Sequence, residues 1–149
     1  MKGNGLYKTR KFKDPLYVGD PINAVRIFSE KQVDEIVLLD IDASKTSTEP
    51  NNTLIEKISS ECFVPLTYGG GISSIDQMRQ IYRIGVEKIS VNSSLFSQQD
   101  MVREAVKTFG SQSVVASIDI RKKISGLWAY THGGTKRVRM SISTIIEYL

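Results

Sequence analysis

The chain has 149 residues, of which 40% are hydrophobic and 24% are charged, and these values are typical of one globular domain. The 20 basic and 16 acidic residues leave a net charge of +4, which suits an anionic ligand but is too small and too scattered to indicate a nucleic-acid-binding protein. A single cysteine excludes a disulfide framework and a cysteine-based zinc site. The sequence has no apolar run long enough for a membrane span or a signal peptide, so we expect no membrane partner and a cytoplasmic protein.

Residues 1–21 are predicted to form an irregular loop with a short extended piece from Gly5 to Phe12. Hydrophobic alternation is weak in this segment, and the dipeptide Asp14-Pro15 and the run Gly19-Asp20-Pro21 favour turns.

From residue 22 onward, helical and strand patterns alternate. The predicted helices span 22–31, 52–60, 73–84, 98–109 and 141–149, and the predicted strands span 35–41, 64–68, 88–91 and 113–118. The strands are short, continuous apolar runs, which is typical of strands that are covered on both faces. Gly85 and Gly110 follow two of the helices, where a left-handed cap is common.

This alternation predicts parallel strands joined by right-handed crossovers. Two architectures share the pattern, an open doubly wound sheet and a closed (β/α)₈ barrel of about 250 residues. The chain is shorter than such a barrel, has no strand pattern before its first helix and stops inside a helix. Both ends therefore look truncated, and in a barrel, side chains of the Ile36, Leu38 or Val115 type would face the interior.

Polar residues follow the strands at the ends where ligands bind in parallel α/β folds. The run Gly69-Gly70-Gly71 lets the backbone approach a ligand closely at the start of a helix, and Asn92-Ser93-Ser94 supplies further donors from the next strand. Together they predict a phosphate site that includes Gly70, Gly71, Asn92 and Ser93. The alternative is a tight glycine turn followed by an ordinary helix cap.

Acidic residues occupy the other two strand ends. Asp119 follows the last strand and is a candidate general acid or base. Asp40 and Asp42 lie at the end of the first strand, and Asp40 is either a second candidate or an ion-pair partner of Lys88.

A small hairpin is predicted from Gly126 to Val138, because a Gly133-Gly134 turn separates two short segments. We interpret it as a solvated flap, and His132 within it as incidental to the site.

Four stretches resemble the cyclase subunit of imidazole glycerol phosphate synthase: VDEIVLLDIDAS, VPLTYGGGI, GVEKISVNSS and FGSQSVVASID. The resemblance covers nearly the whole chain, and the last stretch is its most specific part. A related isomerase of histidine synthesis has a similar fold and is the nearest alternative.

The resemblance implies a (β/α)₈ barrel of which this chain holds about strands 2 to 5, as a single domain. Residues 1–21 would be the first active-site loop, 22–119 the βα units, 120–140 the hairpin flap and 141–149 the start of the next helix.

The resemblance also implies roles for individual residues. The family uses two aspartates as acid and base; Asp119 matches one, and the other would precede Met1. Further matches are Gly71, Asn92 and Ser93 at one phosphate of the substrate, Lys8 on a mobile loop that closes over it, and Glu35 and Lys88 at the ammonia entrance.

The implied activity is an ammonia-dependent cyclase and lyase of histidine biosynthesis, without metal or organic cofactor. The substrates would be a phosphorylated small molecule and ammonia, which a glutaminase partner subunit releases and which passes through the barrel. The segment LYKTRKFKDPLYVGDPINAVRIFSEKQVDE is more similar to paralogues linked to surface-sugar amidation, so both roles stay open. A non-catalytic phosphate-binding half-barrel is a third alternative.

Overall fold

The structure is a computed structural model, which describes residues 1–10, 13–46 and 48–148. Within them the helices are α1 (Pro21–Glu30), α2 (Ala43–Thr46), α3 (Asn52–Ser59), α4 (Ile75–Arg83), α5 (Ser93–Ser97), α6 (Gln99–Phe109) and α7 (Ile142–Tyr148). The strands are β1 (Leu6–Arg10), β2 (Lys13–Gly19), β3 (Ile36–Leu39), β4 (Leu66–Gly69), β5 (Lys88–Val91), β6 (Val114–Ala116), β7 (Asp119–Lys123), β8 (Gly126–Thr131) and β9 (Lys136–Arg137). None of the helices in these ranges is long and apolar enough to cross a membrane.

The central feature is a parallel sheet of four strands in the order β3-β4-β5-β6. One row of paired residues crosses all four strands, from Leu39 through Gly69 and Ser90 to Val115. This sheet and its intervening helices confirm the α/β class that the alternating pattern predicted. The strand order follows the chain without the reversal that defines a doubly wound sheet.

The hydrophobic core lies on one face of this sheet. Leu38, Tyr68 and Ile89 point from three neighbouring strands into a cluster that contains buried residues of α1, α3, α4 and α6. The helices therefore cover the same face, as expected when every crossover has the same hand and the strand order does not reverse.

The opposite face of the sheet carries exposed apolar side chains. Val37, Leu39 and Val115 have exposed fractions of 57%, 41% and 37%. The expectation that Ile36 and Leu38 face a barrel interior was wrong, because both pack in the helix-covered core. Successive strand residues point to opposite faces, so Val37 and Leu39 face away from the helices instead.

Side-chain caps account for where three helices begin. Asp20 accepts a hydrogen bond from Asn23 N at 2.9 Å, Asn51 accepts one from Leu54 N at 3.1 Å, and Ser74 accepts one from Gln77 N at 3.2 Å. After α4 and α6, Gly85 and Gly110 have φ values of +99° and +89°, as glycines past a helix end often do.

The N-terminal segment differs from the predicted irregular loop. β1 and β2 form an antiparallel hairpin, with Leu6 opposite Gly19 and Arg10 opposite Lys13. The rings of Tyr7 and Tyr17 meet edge to face at 5.5 Å and stabilise the pairing. Pro15 lies within β2, which is compatible with a two-stranded ribbon because an edge strand tolerates a missing N–H donor.

The first residue pairs with the outer edge of β3. The Met1 amino group donates to the Leu39 carbonyl, and Ile41 N donates to the Met1 carbonyl at 3.0 Å. These two bonds bracket Asp40 in the pattern of parallel strand pairing.

Strands β7, β8 and β9 form an antiparallel sheet where the sequence predicted a small hairpin. Ala129, Val138 and Ile145 form a second core cluster between this sheet and α7. The turn after β8 has positive φ at His132, Gly133 and Gly134.

Candidate functional site

A cleft opens at the carboxyl ends of the parallel strands, which is where the sequence predicted ligand binding. Its volume is about 100 Å³. Six of the predicted site residues line it: Asp40, Gly70, Gly71, Asn92, Ser93 and Asp119. They meet because the parallel strands end at the same edge of the sheet.

The glycine run forms one wall of the cleft in a conformation that excludes larger residues. Gly70 and Gly71 have φ values of +121° and +71°. A Cβ atom at Gly70 would lie 2.5 Å from the Asp40 carbonyl oxygen, and one at Gly71 would lie 2.5 Å from that of Thr48. Glycine is therefore required at both positions by the close packing of the run against the segment that follows β3.

The run does not open a helix as the sequence predicted. Helix α4 begins at Ile75, and the Ser74 side chain caps its first turn. Any anion binding at Gly70 and Gly71 thus depends on their own backbone N–H groups, with no helix terminus behind them.

The donors after β5 are partly engaged within the protein. Asn92 Nδ2 donates to the Ser117 carbonyl at 2.9 Å, and Ser93 Oγ accepts from His132 N at 3.2 Å. Ser94 Oγ donates to the Ile72 carbonyl at 2.7 Å. These side chains hold together the strand ends that surround the cleft.

Asp119 lies at the base of the C-terminal sheet, as the first residue of β7 instead of the end of a parallel strand. Its side chain is half-buried, and burial raises the pKa of its carboxyl group. Among the described residues no hydrogen bond or ion pair engages this carboxylate. A half-buried, unpaired carboxyl group at the cleft is suited to taking up and releasing a proton.

Asp40 supports the loop that follows β3. Its Oδ1 accepts hydrogen bonds from Asp42 N at 3.1 Å and Ala43 N at 3.2 Å. The suggested ion pair with Lys88 was wrong, because Lys88 starts β5 and Asp40 follows the opposite end of β3. Four strand residues at about 3.3 Å each separate those two levels of the sheet.

Lys88 forms its ion pair with Glu35, with Nζ 2.9 Å from Oε2. Thr67 Oγ1 donates to the other carboxylate oxygen. The hydrogen bond from Thr67, with that from Lys88, lowers the pKa of Glu35. The three side chains form a polar cluster at the amino ends of β3, β4 and β5, opposite the cleft.

Lys8 does not line the cleft. It is an exposed residue of β1, in the N-terminal hairpin. The structure thus does not bring this predicted residue to the other six.

The turn after β8 also reaches the cleft, which the sequence did not predict. Gly133 lines the cleft, and the Ser93–His132 hydrogen bond holds the turn there. The His132-Gly133-Gly134 run was the available signal, because consecutive glycines permit a backbone that contacts a site. No group of three or more His, Cys, Asp or Glu residues in the described ranges is placed to hold a metal ion.

Comparison with known proteins gives a family and several relatives. A family model described as "histidine biosynthesis protein" matches residues 2–149. A Pseudomonas aeruginosa protein, provisionally named imidazole glycerol phosphate synthase subunit hisF2, is 49% identical over 95% of this chain and 57% of its own length. A Vibrio vulnificus protein, provisionally named subunit hisF3, is 46% identical over 97% of this chain and 56% of its own length.

A third relative carries the plain subunit name. The imidazole glycerol phosphate synthase subunit HisF of Petrotoga mobilis is 35% identical over 92% of this chain and 55% of its own length. The chain thus spans just over half the length of the curated relatives it matches.

Proposed function

The chain belongs to the histidine biosynthesis protein family, and from that premise we propose that it is part of an ammonia-dependent cyclase subunit of the imidazole glycerol phosphate synthase type. The gathering of Asp119 and the four donor residues Gly70, Gly71, Asn92 and Ser93 in one cleft is the observation that carries this proposal.

The proposed architecture is a part of a (β/α)₈ barrel, corresponding to strands 2 to 5 with their helices. The sequential strand order, the helices on one face and the exposed apolar side chains on the other support it. Closure of a barrel would cover Val37, Leu39 and Val115 with the opposite wall. The pairing of Met1 with the edge of β3 marks the side where another parallel strand would add.

Within that barrel, residues 1–21 serve as the first active-site loop, 22–119 as the βα units and 120–140 as a flap beside the cleft. Residues 141–149 form the start of the next helix. Lys8 reaches the substrate only if the N-terminal hairpin moves toward the cleft, because it lies outside the cleft in this structure.

The phosphate of the substrate binds between the glycine run and the residues after β5. Gly70 and Gly71 supply backbone N–H donors from a conformation in which a larger residue would clash with the segment after β3. Asn92 and Ser93 complete the site from the neighbouring strand. The N–H and hydroxyl groups that these four residues bring to one cleft support an anion as the ligand.

Asp119 transfers protons during ring closure, in which ammonia is added to the substrate. Burial favours its neutral form, and a raised pKa brings the group closer to the pH at which it both accepts and donates. The second acid of the pair belongs to a strand that would precede Met1.

Ammonia enters at the opposite end of the sheet, where Glu35 and Lys88 form the gate with Thr67 beside them. A glutaminase subunit would bind this face and release the ammonia there. The Petrotoga relative is itself named as a subunit of a synthase, which supports the existence of a partner subunit.

The test of the proposed function is the Asp119→Asn variant of the protein expressed from its complete reading frame. We expect the variant to bind the phosphorylated substrate and to lose ammonia-dependent turnover, because the geometry is kept while proton transfer is lost. Undiminished turnover would remove Asp119 from the mechanism and favour a non-catalytic phosphate-binding role.

A second candidate function is ammonia transfer to a surface-sugar acceptor by a paralogous subunit. The identities of 49% and 46% to relatives numbered hisF2 and hisF3, against 35% to the Petrotoga subunit, favour a paralogue. Genetic complementation separates the two roles. Growth of a histidine auxotroph that lacks its cyclase subunit supports the cyclase, and failure to grow with an otherwise active protein supports the paralogue.

A further inference from the structure

The positive charge of this protein is concentrated in one small segment. Six of its 20 basic residues lie between 120 and 140, and that stretch contains no Asp or Glu. The other 128 residues carry 14 basic and 16 acidic side chains. Within the described ranges no ion pair involves the stretch. The segment that forms the C-terminal antiparallel sheet therefore accounts for the net positive charge of the chain.

The turn between β7 and β8 combines part of this charge with exposed apolar side chains. We refer to residues 122–127 as the hairpin tip, and every one of them is exposed. Ile124 is fully exposed, and Leu127 has an exposed fraction of 54%. A Cβ atom at Gly126 would meet no heavy atom within 4 Å. The hairpin tip therefore presents two lysines, Lys122 and Lys123, together with two apolar side chains to the solvent.

Contacts from the base of the sheet hold the hairpin tip in one conformation. Strand pairing continues to its last row, in which Lys123 lies opposite Gly126. Trp128 Nε1 donates to Ser125 Oγ at 3.0 Å and thereby connects the turn to β8. The guanidinium of Arg137 lies over the Trp128 ring at 3.9 Å, which fixes the ring against β9. A tip that is ordered in advance loses little conformational entropy when it binds.

The composition of the hairpin tip matches the surface of an anionic lipid bilayer. Lysines on an edge strand protect it against pairing with other chains, but that role does not account for the exposed Ile124 and Leu127 beside them. In a bilayer, negatively charged headgroups lie directly above apolar acyl chains. Apolar side chains at the end of a hairpin and lysines at its sides meet these two layers in the same order.

A lipid surface fits the hairpin tip better than a protein does. A specific protein–protein interface buries about 800 Å² on each partner, and a six-residue turn offers only a part of that area. A second copy of the chain is disfavoured at this position, because it would bring the same uncompensated positive charge. Binding to a bilayer needs only a few inserted apolar side chains and the attraction between lysines and anionic headgroups.

We propose that the hairpin tip binds the surface of a membrane that contains anionic lipids. Ile124 and Leu127 insert among the headgroups, and Lys122 and Lys123 lie beside the negatively charged groups of the lipids. The expectation of no membrane partner rests on the lack of a spanning segment or signal peptide, which binding at a lipid surface does not require. The proposal is independent of the proposed function, since no residue of the hairpin tip lines the cleft.

Vesicle binding of the full chain tests the proposal. The chain is mixed with phosphatidylcholine vesicles that contain about 30% phosphatidylglycerol, and the bound fraction is measured by sedimentation. We expect saturable binding that weakens as the salt concentration rises above about 0.1 M, because salt screens the lysines from the headgroups. Vesicles of phosphatidylcholine alone should bind at least about tenfold more weakly. Trp128 is the single tryptophan of the chain, and its emission should shift to shorter wavelength when the adjacent tip inserts.

Substitutions in the hairpin tip separate the charged from the apolar contribution. Lys122→Gln and Lys123→Gln should each weaken binding to the anionic vesicles about fivefold, because each removes one charge at the lipid surface. Lys122→Arg keeps the charge and should bind as the parent chain does. The double variant Ile124→Ser with Leu127→Ser should weaken binding by about tenfold, because it removes the apolar area that inserts.

Two matched controls lie outside the hairpin. Lys57→Gln removes one positive charge from the exposed surface of α3. Val37→Ser removes an apolar side chain with an exposed fraction of 57%, close to that of Leu127, from the uncovered face of the parallel sheet. Both should bind the anionic vesicles within about twofold of the parent chain, because neither position contacts the lipid.

Four results would overturn the proposal. The first two are no sedimentation of the parent chain with anionic vesicles, and binding that leaves the emission of Trp128 unchanged. The third is an equal loss of binding in Val37→Ser and in the variants of the hairpin tip, which would assign the contact to the sheet face. The fourth is binding of a polyglutamate peptide by a chain that does not bind the vesicles, which would assign the hairpin tip to an acidic protein.

Discussion

The amide of Asn92 donates a 2.9 Å hydrogen bond to the carbonyl of Ser117, two residues before Asp119. This bond connects the end of β5 to the segment that leads from β6 into the C-terminal sheet. The position of Asp119 relative to the donors after β5 therefore depends on a side chain that is itself a candidate ligand contact.

Asn92→Asp should destabilise the chain by about 1–3 kcal/mol, because it replaces the amide donor with an acceptor that faces a partly buried carbonyl. Urea denaturation followed by circular dichroism measures the loss. Asn52→Asp is the control, since it removes the Asn52–Gln80 hydrogen bond at an exposed helix start where a carboxylate is tolerated. Equal stability of the two variants would show that the bond to Ser117 contributes nothing.

The glycine wall of the cleft should not accept alanine. Gly70→Ala would bring Cβ within 2.5 Å of the Asp40 carbonyl oxygen in addition to a strained φ, and we expect a loss of about 1–3 kcal/mol. Gly126→Ala has a comparable φ of +114° with no atom within 4 Å, so its loss should be smaller, at about 1 kcal/mol. Thermal melts of both variants test the difference, and a larger loss at Gly126 would contradict the close approach.

Protonation of Asp119 should make the stability of the chain depend on pH. Because burial raises its pKa above the usual 3.8, the folded chain holds this proton at a higher pH than the unfolded chain. Its contribution to stability is complete below pH 3.8 and is lost as the pH rises through the raised pKa. The stability of Asp119→Asn relative to the parent chain should therefore increase over that window and then level off.

Urea titrations from pH 3.5 to about 7.5 measure this difference. Asp34→Asn, at an exposed position, serves as the control for removing a carboxylate in general. If the difference in unfolding free energy between Asp119→Asn and the parent chain does not depend on pH, burial does not shift the pKa of Asp119.

The pKa of Glu35, in the polar cluster at the amino ends of the strands, should respond to the loss of either partner. Thr67→Val and Lys88→Met should each raise the pKa of Glu35, because the hydrogen bond from Thr67 lowers it, as do the hydrogen bond and the charge of Lys88. The lowered pKa of Glu35 stabilises the folded chain at pH values above 4.5, the usual pKa of this group. This stabilisation is lost as the pH falls through the pKa of the folded state. Carboxyl resonances followed by NMR against pH give both shifts, with Lys57→Met as control; an unchanged pKa of Glu35 in either variant would contradict the interaction that the variant removes.

The 149-residue chain on its own should lack cyclase activity and should self-associate. Val37, Leu39 and Val115 leave an uncovered apolar face, and β3 and β6 are the outer strands of the parallel sheet in the described part of the chain. Leu39→Ser should shift gel filtration toward the monomer, whereas Phe63→Ser, at an exposed site outside the sheet, should not. A parent chain that is a stable monomer at all concentrations would show that this face needs no cover.

Local pattern was sufficient for much of this protein. The continuous apolar runs predicted β3 to β6, and the 3.6-residue periodicity predicted α1, α3, α4, α6 and α7. Parallel topology then predicted a common edge for the strand ends, and six of the predicted site residues line one cleft there. These features depend on side-chain periodicity and chain direction, which the sequence carries directly.

Relationships between distant residues required the tertiary structure. The sequence suggested Asp40 as a possible ion-pair partner of Lys88, but strand register places Glu35 beside Lys88 instead. Similarly, the face to which Ile36 and Leu38 point depends on which side the helices cover, and a one-residue change of phase in a short apolar strand exchanges the two faces. The stacking of Arg137 on Trp128 likewise depends on the register between β8 and β9. The packing of the whole fold selects which distant segments pair, and the neighbouring residues in the chain do not determine it.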